Sequence, residues 1–208
     1  SGFGLRMAMK LGNSPAIGGQ SKYAIKSGLG VGIFKGNPAS IQLAGDTGYI
    51  QDSAFSTTDD GNDGGIDFTT ANDALLVGVH NGVFFIDGTT SKPTFANSVA
   101  ASATFGTNPN TNSTDGVAFV NDDPDQEYVV KADAAVGQAI FGLCGNINDF
   151  AAGDAKDGAS TATFDSGTQA ETKMFRIVRS AEDPDNEDLT AAGANIIVVI
   201  NAAANTYR

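Results

Sequence analysis

The stretch Ala74-Leu75-Leu76-Val77-Gly78-Val79-His80-Asn81-Gly82-Val83-Phe84-Phe85-Ile86-Asp87 is the most apolar run before the C-terminal region. Residues 75–79 and 83–86 are aliphatic, β-branched or aromatic, the types that suit a pleated, half-buried strand. Asn81-Gly82 between them offers two residues that tolerate positive φ, which a type I′ turn requires, so the segment predicts a β-hairpin. That hairpin is the expected spine of a mainly β chain.

Outward from it, other segments repeat the β signal. Tyr23-Ala24-Ile25 is followed by Leu29, Val31 and Ile33 alternating with Gly28, Gly30 and Gly32, a period of two that predicts a strand with bare backbone on one face. This Gly-x-Gly-x-Gly has the wrong spacing for a dinucleotide loop and opens no helix. Strands are expected at 39–43 and 48–51, at 117–120 and 127–131 around the acidic turn Asn121-Asp122-Asp123-Pro124-Asp125-Gln126, and at 161–165 and 173–179. Ile196-Ile197-Val198-Val199-Ile200 is a continuous β-branched run, the pattern of a strand buried on both faces that closes the sheet. Residues 134–144, behind the capping candidate Asp133, have at most one turn of helix, since Gly137 and Gly142 weaken it.

Residues 1–21 hold five glycines and an alternation of Phe3, Leu5, Met7, Met9 and Leu11. The alternation is strand-like but cannot stand alone, which predicts an arm that orders by adding to a sheet edge. The expected organisation is an N-terminal arm over 1–21 and a β domain over 22–208, with a polar excursion at about 94–116 around Asn108-Pro109-Asn110.

Charge sharpens the reading of the arm. The chain of 208 residues carries −12, yet no acid occurs before Asp46, while Arg6, Lys10, Lys22, Lys26 and Lys35 do. The first 45 residues are therefore +5, and the remainder, with seven cations against 24 acids, is −17. The acidic total argues against a general nucleic-acid binder, which would need clustered cations. The asymmetry predicts that the arm meets an acidic surface, with Phe3, Leu5, Met7 and Leu11 as apolar contacts and Arg6 and Lys10 as charges.

Chemistry-bearing patterns are sparse. Cys144 is the single cysteine and lies in an apolar setting, where it reads as a small buried hydrophobe. His80 is the single histidine, with no nucleophile elbow to accompany it, and zinc would need several His or Cys ligands. The acidic loop at 59–67 resembles a calcium loop, but Gly61 stands where an oxygen ligand is required and Thr70 where a bidentate Glu is, so a solvated acidic loop is the expectation and weak binding of Ca²⁺ by its clustered carboxylates the alternative. No cofactor and no enzymatic activity are expected. The first residues lack a signal-peptide core and no run reaches a membrane span, so a cytosol-like compartment is expected until assembly.

Several phrases point to a family. Residues 23–28 lead to Ile33-Phe34-Lys35-Gly36-Asn37-Pro38 and then to Leu43-Ala44-Gly45-Asp46-Thr47-Gly48-Tyr49-Ile50. Later come Asp123-Pro124 with Tyr128-Val129-Val130, then Gly158-Ala159-Ser160 before Phe164-Asp165, Phe175-Arg176-Ile177-Val178, and Pro184-Asp185-Asn186 before the closing run. In order and character this resembles the head decoration, or cement, proteins of tailed bacteriophages, marine and cyanophage-like ones in particular. The resemblance implies a β-barrel or β-tulip-like domain on the outer surface of the virion. There it would bind the major capsid protein, commonly as a homotrimer, and secure neighbouring shell subunits after assembly in the host cytoplasm. It implies no direct nucleic-acid or membrane partner. The rival expectation is a head- or tail-fibre adhesin for a host surface glycan.

Overall fold

The structure is a computed structural model that describes residues 2–42, 46–52, 76–148, 153–167, 169–171 and 173–207. The fold is mainly β, with antiparallel sheets. In chain order the strands are β1 (Arg6–Lys10), β2 (Ser21–Ile25), β3 (Ile33–Phe34), β4 (Pro38–Ile41), β5 (Ile50–Asp52), β6 (Leu76–Ile86), β7 (Pro93–Ala96) and β8 (Ser98–Val99). They continue with β9 (Gly116–Asn121), β10 (Gln126–Lys131), β11 (Cys144–Gly145), β12 (Ile147–Asn148), β13 (Thr163–Phe164), β14 (Phe175–Ser180) and β15 (Asn195–Ile200). Helical structure is confined to 3-10 turns at Gln138–Ile140 and Ala202–Ala204.

Two main sheets carry the fold. One runs β1-β10-β15-β14-β11, and the other β2-β9-β6-β4-β5 with β7 added on β6. Strand pairing among the described residues closes neither into a barrel. The acidic turn at 121–126 links β9 of the second sheet to β10 of the first, so it is the crossing between sheets. The 94–116 region contributes β8 and most of β7.

β15 follows its sequence closely. It lies between β10 and β14, and all six residues are buried. It is thus a central strand, and β1 and β11 hold the sheet's ends. Ile196, Val198 and Ile200 enter the core with Tyr128, Phe164, Phe175 and Ile177. Ile197 and Val199 face the other way, where Arg179, in register with Ile197, reaches across to Glu127, in register with Val199. The guanidinium meets the buried carboxylate with two bonds, Nη1 to Oε1 at 2.8 Å and Nη2 to Oε2 at 2.6 Å. Such a bidentate pair satisfies the carboxylate, while the arginine stem can cover apolar surface.

β6 departs from expectation, and the predicted hairpin does not form. A type I′ turn needs positive φ at both central residues, and only Gly82 has it, at 144°. The chain instead runs straight on as one eleven-residue strand with two irregularities. Against β4 the register passes from Ala39↔Gly78 to Ser40↔Leu76, leaving Val77 as an extra residue; against β9 it passes from His80↔Val120 to Gly82↔Phe119, leaving Asn81 extra. Each bulge inverts the alternation of faces. As a result Leu76 and Val79 pack into the core of the first sheet, and Val77 and Val83 into that of the second with Ile25, Ile33 and Ile50. One strand therefore joins both cores.

A second expectation also fails locally. Residues 28–32 form turns between β2 and β3, because the backbone at Gly32 lies against Val99 O, where a Cβ would stand 3.0 Å away.

Candidate functional site

Where residues 3–11 lie decides the candidate site. Gly2 N–H donates to Thr161 O at 2.9 Å and Gly4 N–H to Ala162 O at 3.2 Å. A Cβ at Gly2 would sit 1.9 Å from Ala162 O, so this close approach explains a glycine there. Leu5 is buried in the core of the first sheet and is not a surface contact. β1 then adds to β10 with Arg6↔Val129 and Met7↔Tyr128, so the expected strand addition is made to the chain's own sheet.

The charges follow the same logic. Lys10 pairs with Asp123 of the crossing turn, and Leu11 N–H donates to Asp125 O at 2.9 Å. Arg6 lies over the Phe3 ring, 4.2 Å from its centroid. Lys10 thus meets the acidic crossing turn of its own molecule, whereas Arg6 meets an aromatic ring. Exposed beside Arg6 are Met7, Met9 and Leu11, and Ile17 in the following loop is 83% exposed. These are four of the seven large hydrophobic residues exposed among the described residues. Among the described residues β1 is also the outermost strand, met beyond only at Lys10 by Ser14.

Behind β1 is a cleft of about 410 Å³ between the two sheets, walled by Phe3, Arg6 and Met7 on one side and by Lys35, His80 and Asn97 on the other. Asn121 organises its floor. Its Nδ2 donates to Gly19 O at 2.9 Å and approaches Met7 Sδ at 2.7 Å, while its Oδ1 accepts from Tyr128 Oη at 3.0 Å. Burial pushes the Tyr128 phenol up, so it remains a donor.

His80 is almost wholly buried, with Nε2 3.2 Å from Gln51 O. A carbonyl only accepts, so Nε2 carries the proton and Nδ1 is a bare acceptor, without a partner among the described residues. Burial lowers its pKa to about 4, and the ring is neutral at pH 7. Cys144 is also buried, which pushes its thiol up and keeps it protonated. No group of three His, Cys, Asp or Glu side chains able to hold a metal occurs among the described residues, and the acidic loop at 59–67 lies outside them.

Comparison with known proteins finds no matching family model, no similar curated protein and no similar solved structure.

Of the six contact residues expected from sequence, the structure brings Phe3, Arg6 and Met7 together at the cleft mouth, puts Leu5 in the core beside it, pairs Lys10 with Asp123 and leaves Leu11 exposed. Ile17 was missed. Its signal was a lone aliphatic residue followed by Gly18-Gly19, in a segment too polar and glycine-rich to bury it.

Proposed function

We propose that the protein is a virion structural protein, a decoration or cement protein that binds the outer surface of a tailed-phage head and stabilises contacts between major capsid subunits, as a homotrimer. The observation that carries this reading is the concentration of exposed apolar side chains on β1 and the loop after it, beside an open strand edge. An unpaired edge offers main-chain hydrogen bonds to another chain, and the apolar side chains around it add burial on docking. A clamp repeated over a shell needs such a surface and needs no catalysis. The family resemblance of the sequence supplies the shell as partner.

The test is co-sedimentation of the full-length chain with phage heads stripped of outer proteins. Deleting residues 1–21 would remove Leu5 from the core, so the informative variants are Met9→Glu and Ile17→Glu, both at exposed positions. Each should leave folding intact and weaken head binding about tenfold, the cost of losing roughly one buried aliphatic contact. Equal binding by wild type and variants, or no binding by wild type, would reject the proposal.

A further inference from the structure

The outward face of the second sheet has a different character from the N-terminal surface. Phe95 on β7 is 74% exposed, and among the described residues no other phenylalanine is exposed. Its position is fixed by pairing, since Phe84 of β6 stands directly opposite with ring centroids 4.6 Å apart. Phe119 of β9 lies beyond, its ring inclined 21° to that of Phe95 at 6.3 Å. Three rings from three adjacent strands therefore form an aromatic row on a rigid support.

Beside the row is an open cleft of about 560 Å³, within the range of small-ligand sites. Its polar edge is made of amides alone: Gln20, Asn81 and Asn97. Asn81 Nδ2 donates to Gln20 Oε1 at 2.8 Å, and Asn97 Nδ2 donates to Asp157 O at 2.8 Å. Each amide is oriented by one bond. Beyond these bonds the set keeps donors in Gln20 Nε2 and the second N–H of each Asn Nδ2, and acceptors in the Oδ1 atoms of Asn81 and Asn97. The second bulge of β6 places Asn81 here, which gives that irregularity a use beyond packing.

We infer that this face binds an uncharged, pyranose-containing glycan, with Phe95 as the stacking platform. A pyranose has an apolar C–H face that suits an aromatic ring, and hydroxyls that both donate and accept, matching the fixed amide set. Among the described residues no ionisable side chain lines the cleft, and a chain of net charge −12 repels anionic sugars and nucleic acids, which could also stack on phenyl rings. A purely apolar partner would bury the amides without satisfying them. The inference turns on Phe95, which lies on neither β1 nor its loop, although Gln20 ends that loop and Asn81 and Asn97 also line the cleft behind β1.

The experiment is a screen of the full-length protein against neutral and acidic glycans, followed by calorimetric titration of the strongest binder. A neutral hexose-containing glycan should bind; Phe95→Ala should weaken it at least tenfold, and Phe95→Trp should retain or tighten it, with circular dichroism of both variants unchanged. Absence of glycan binding, a preference for sialylated or sulfated glycans, or insensitivity to Phe95→Ala would overturn the inference. So would glycan-free self-association that Phe95→Ala abolishes. Head binding measured in parallel should not respond to Phe95→Ala, which separates this site from the N-terminal surface.

Discussion

β15 and β6 are both interior strands made largely of apolar residues, yet they organise the molecule in opposite ways. β15 belongs to one sheet, keeps strict alternation, and sends every second residue into one core. β6 contains glycines and a histidine, takes two extra residues, and divides its side chains between two cores. The difference teaches that a polar or glycine interruption in an apolar run can end a strand or re-aim it. At Asn81-Gly82 it re-aims it, because β9 on one side and β4 and β7 on the other hold the strand on both edges.

The largest expected effect tests the regular side of the comparison. Phe164 is fully buried in the core that β15 lines, and Phe164→Ala should cost about 3–5 kcal/mol through lost burial and the cavity left behind. Urea unfolding measures this. A loss under about 1 kcal/mol would mean the site collapses freely and the core is less ordered than its packing indicates.

A slightly smaller effect probes the irregular strand. His80 on β6 stays neutral in the fold down to about pH 4, whereas the unfolded chain takes up a proton below its ordinary pKa of 6.5. Between these values the unfolded state binds more protons. Stability is therefore full above about pH 6.5 and falls as the pH drops toward 4, by on the order of 3 kcal/mol. Urea midpoints across this range should show the slope in the wild type and a flatter one in His80→Gln; identical slopes would place the titration elsewhere.

The smallest effect measures how the two sheets are tied. Tyr128 of β10 donates to both the backbone oxygen and Oδ1 of Asn121 at the end of β9. Tyr128→Phe should cost about 1–2 kcal/mol, since it also leaves buried acceptors without a donor. Thermal unfolding should remain a single transition with a lowered midpoint; two separated transitions would show that this bond couples the sheets more strongly than its energy implies.

Much of the architecture could be read from residue pattern alone. The β-branched run at 196–200, the strands around the acidic turn and the strand ending at Arg179 are local signals reinforced by burial. Asn81-Gly82 was misleading because turn and bulge use the same backbone freedom, and only the neighbouring strands decide between them. For the site, the alternation of Phe3, Met7 and Leu11 marked the N-terminal surface, but nothing local told that Leu5 would be core. That depends on residues 161–162, which are distant in sequence. The aromatic row was equally hidden, since Phe84, Phe95 and Phe119 meet only through pairing of β6, β7 and β9.

The place of β10 has a temporal consequence. Its partners are β1, from the first ten residues, and β15, which ends at Ile200, whereas every strand of the second sheet lies between Ser21 and Asn121. On a growing chain the second sheet has all its strands before β10 has been made. The first sheet must wait for β15, and its completion joins segments as far apart as residues 6–10 and 195–200, the kind of distant pairing that slows folding. Until β10 is made, the segment that becomes β1 has no strand to pair with. A segment left unpaired in this way is of the kind that neighbouring copies of a chain exchange in domain swapping.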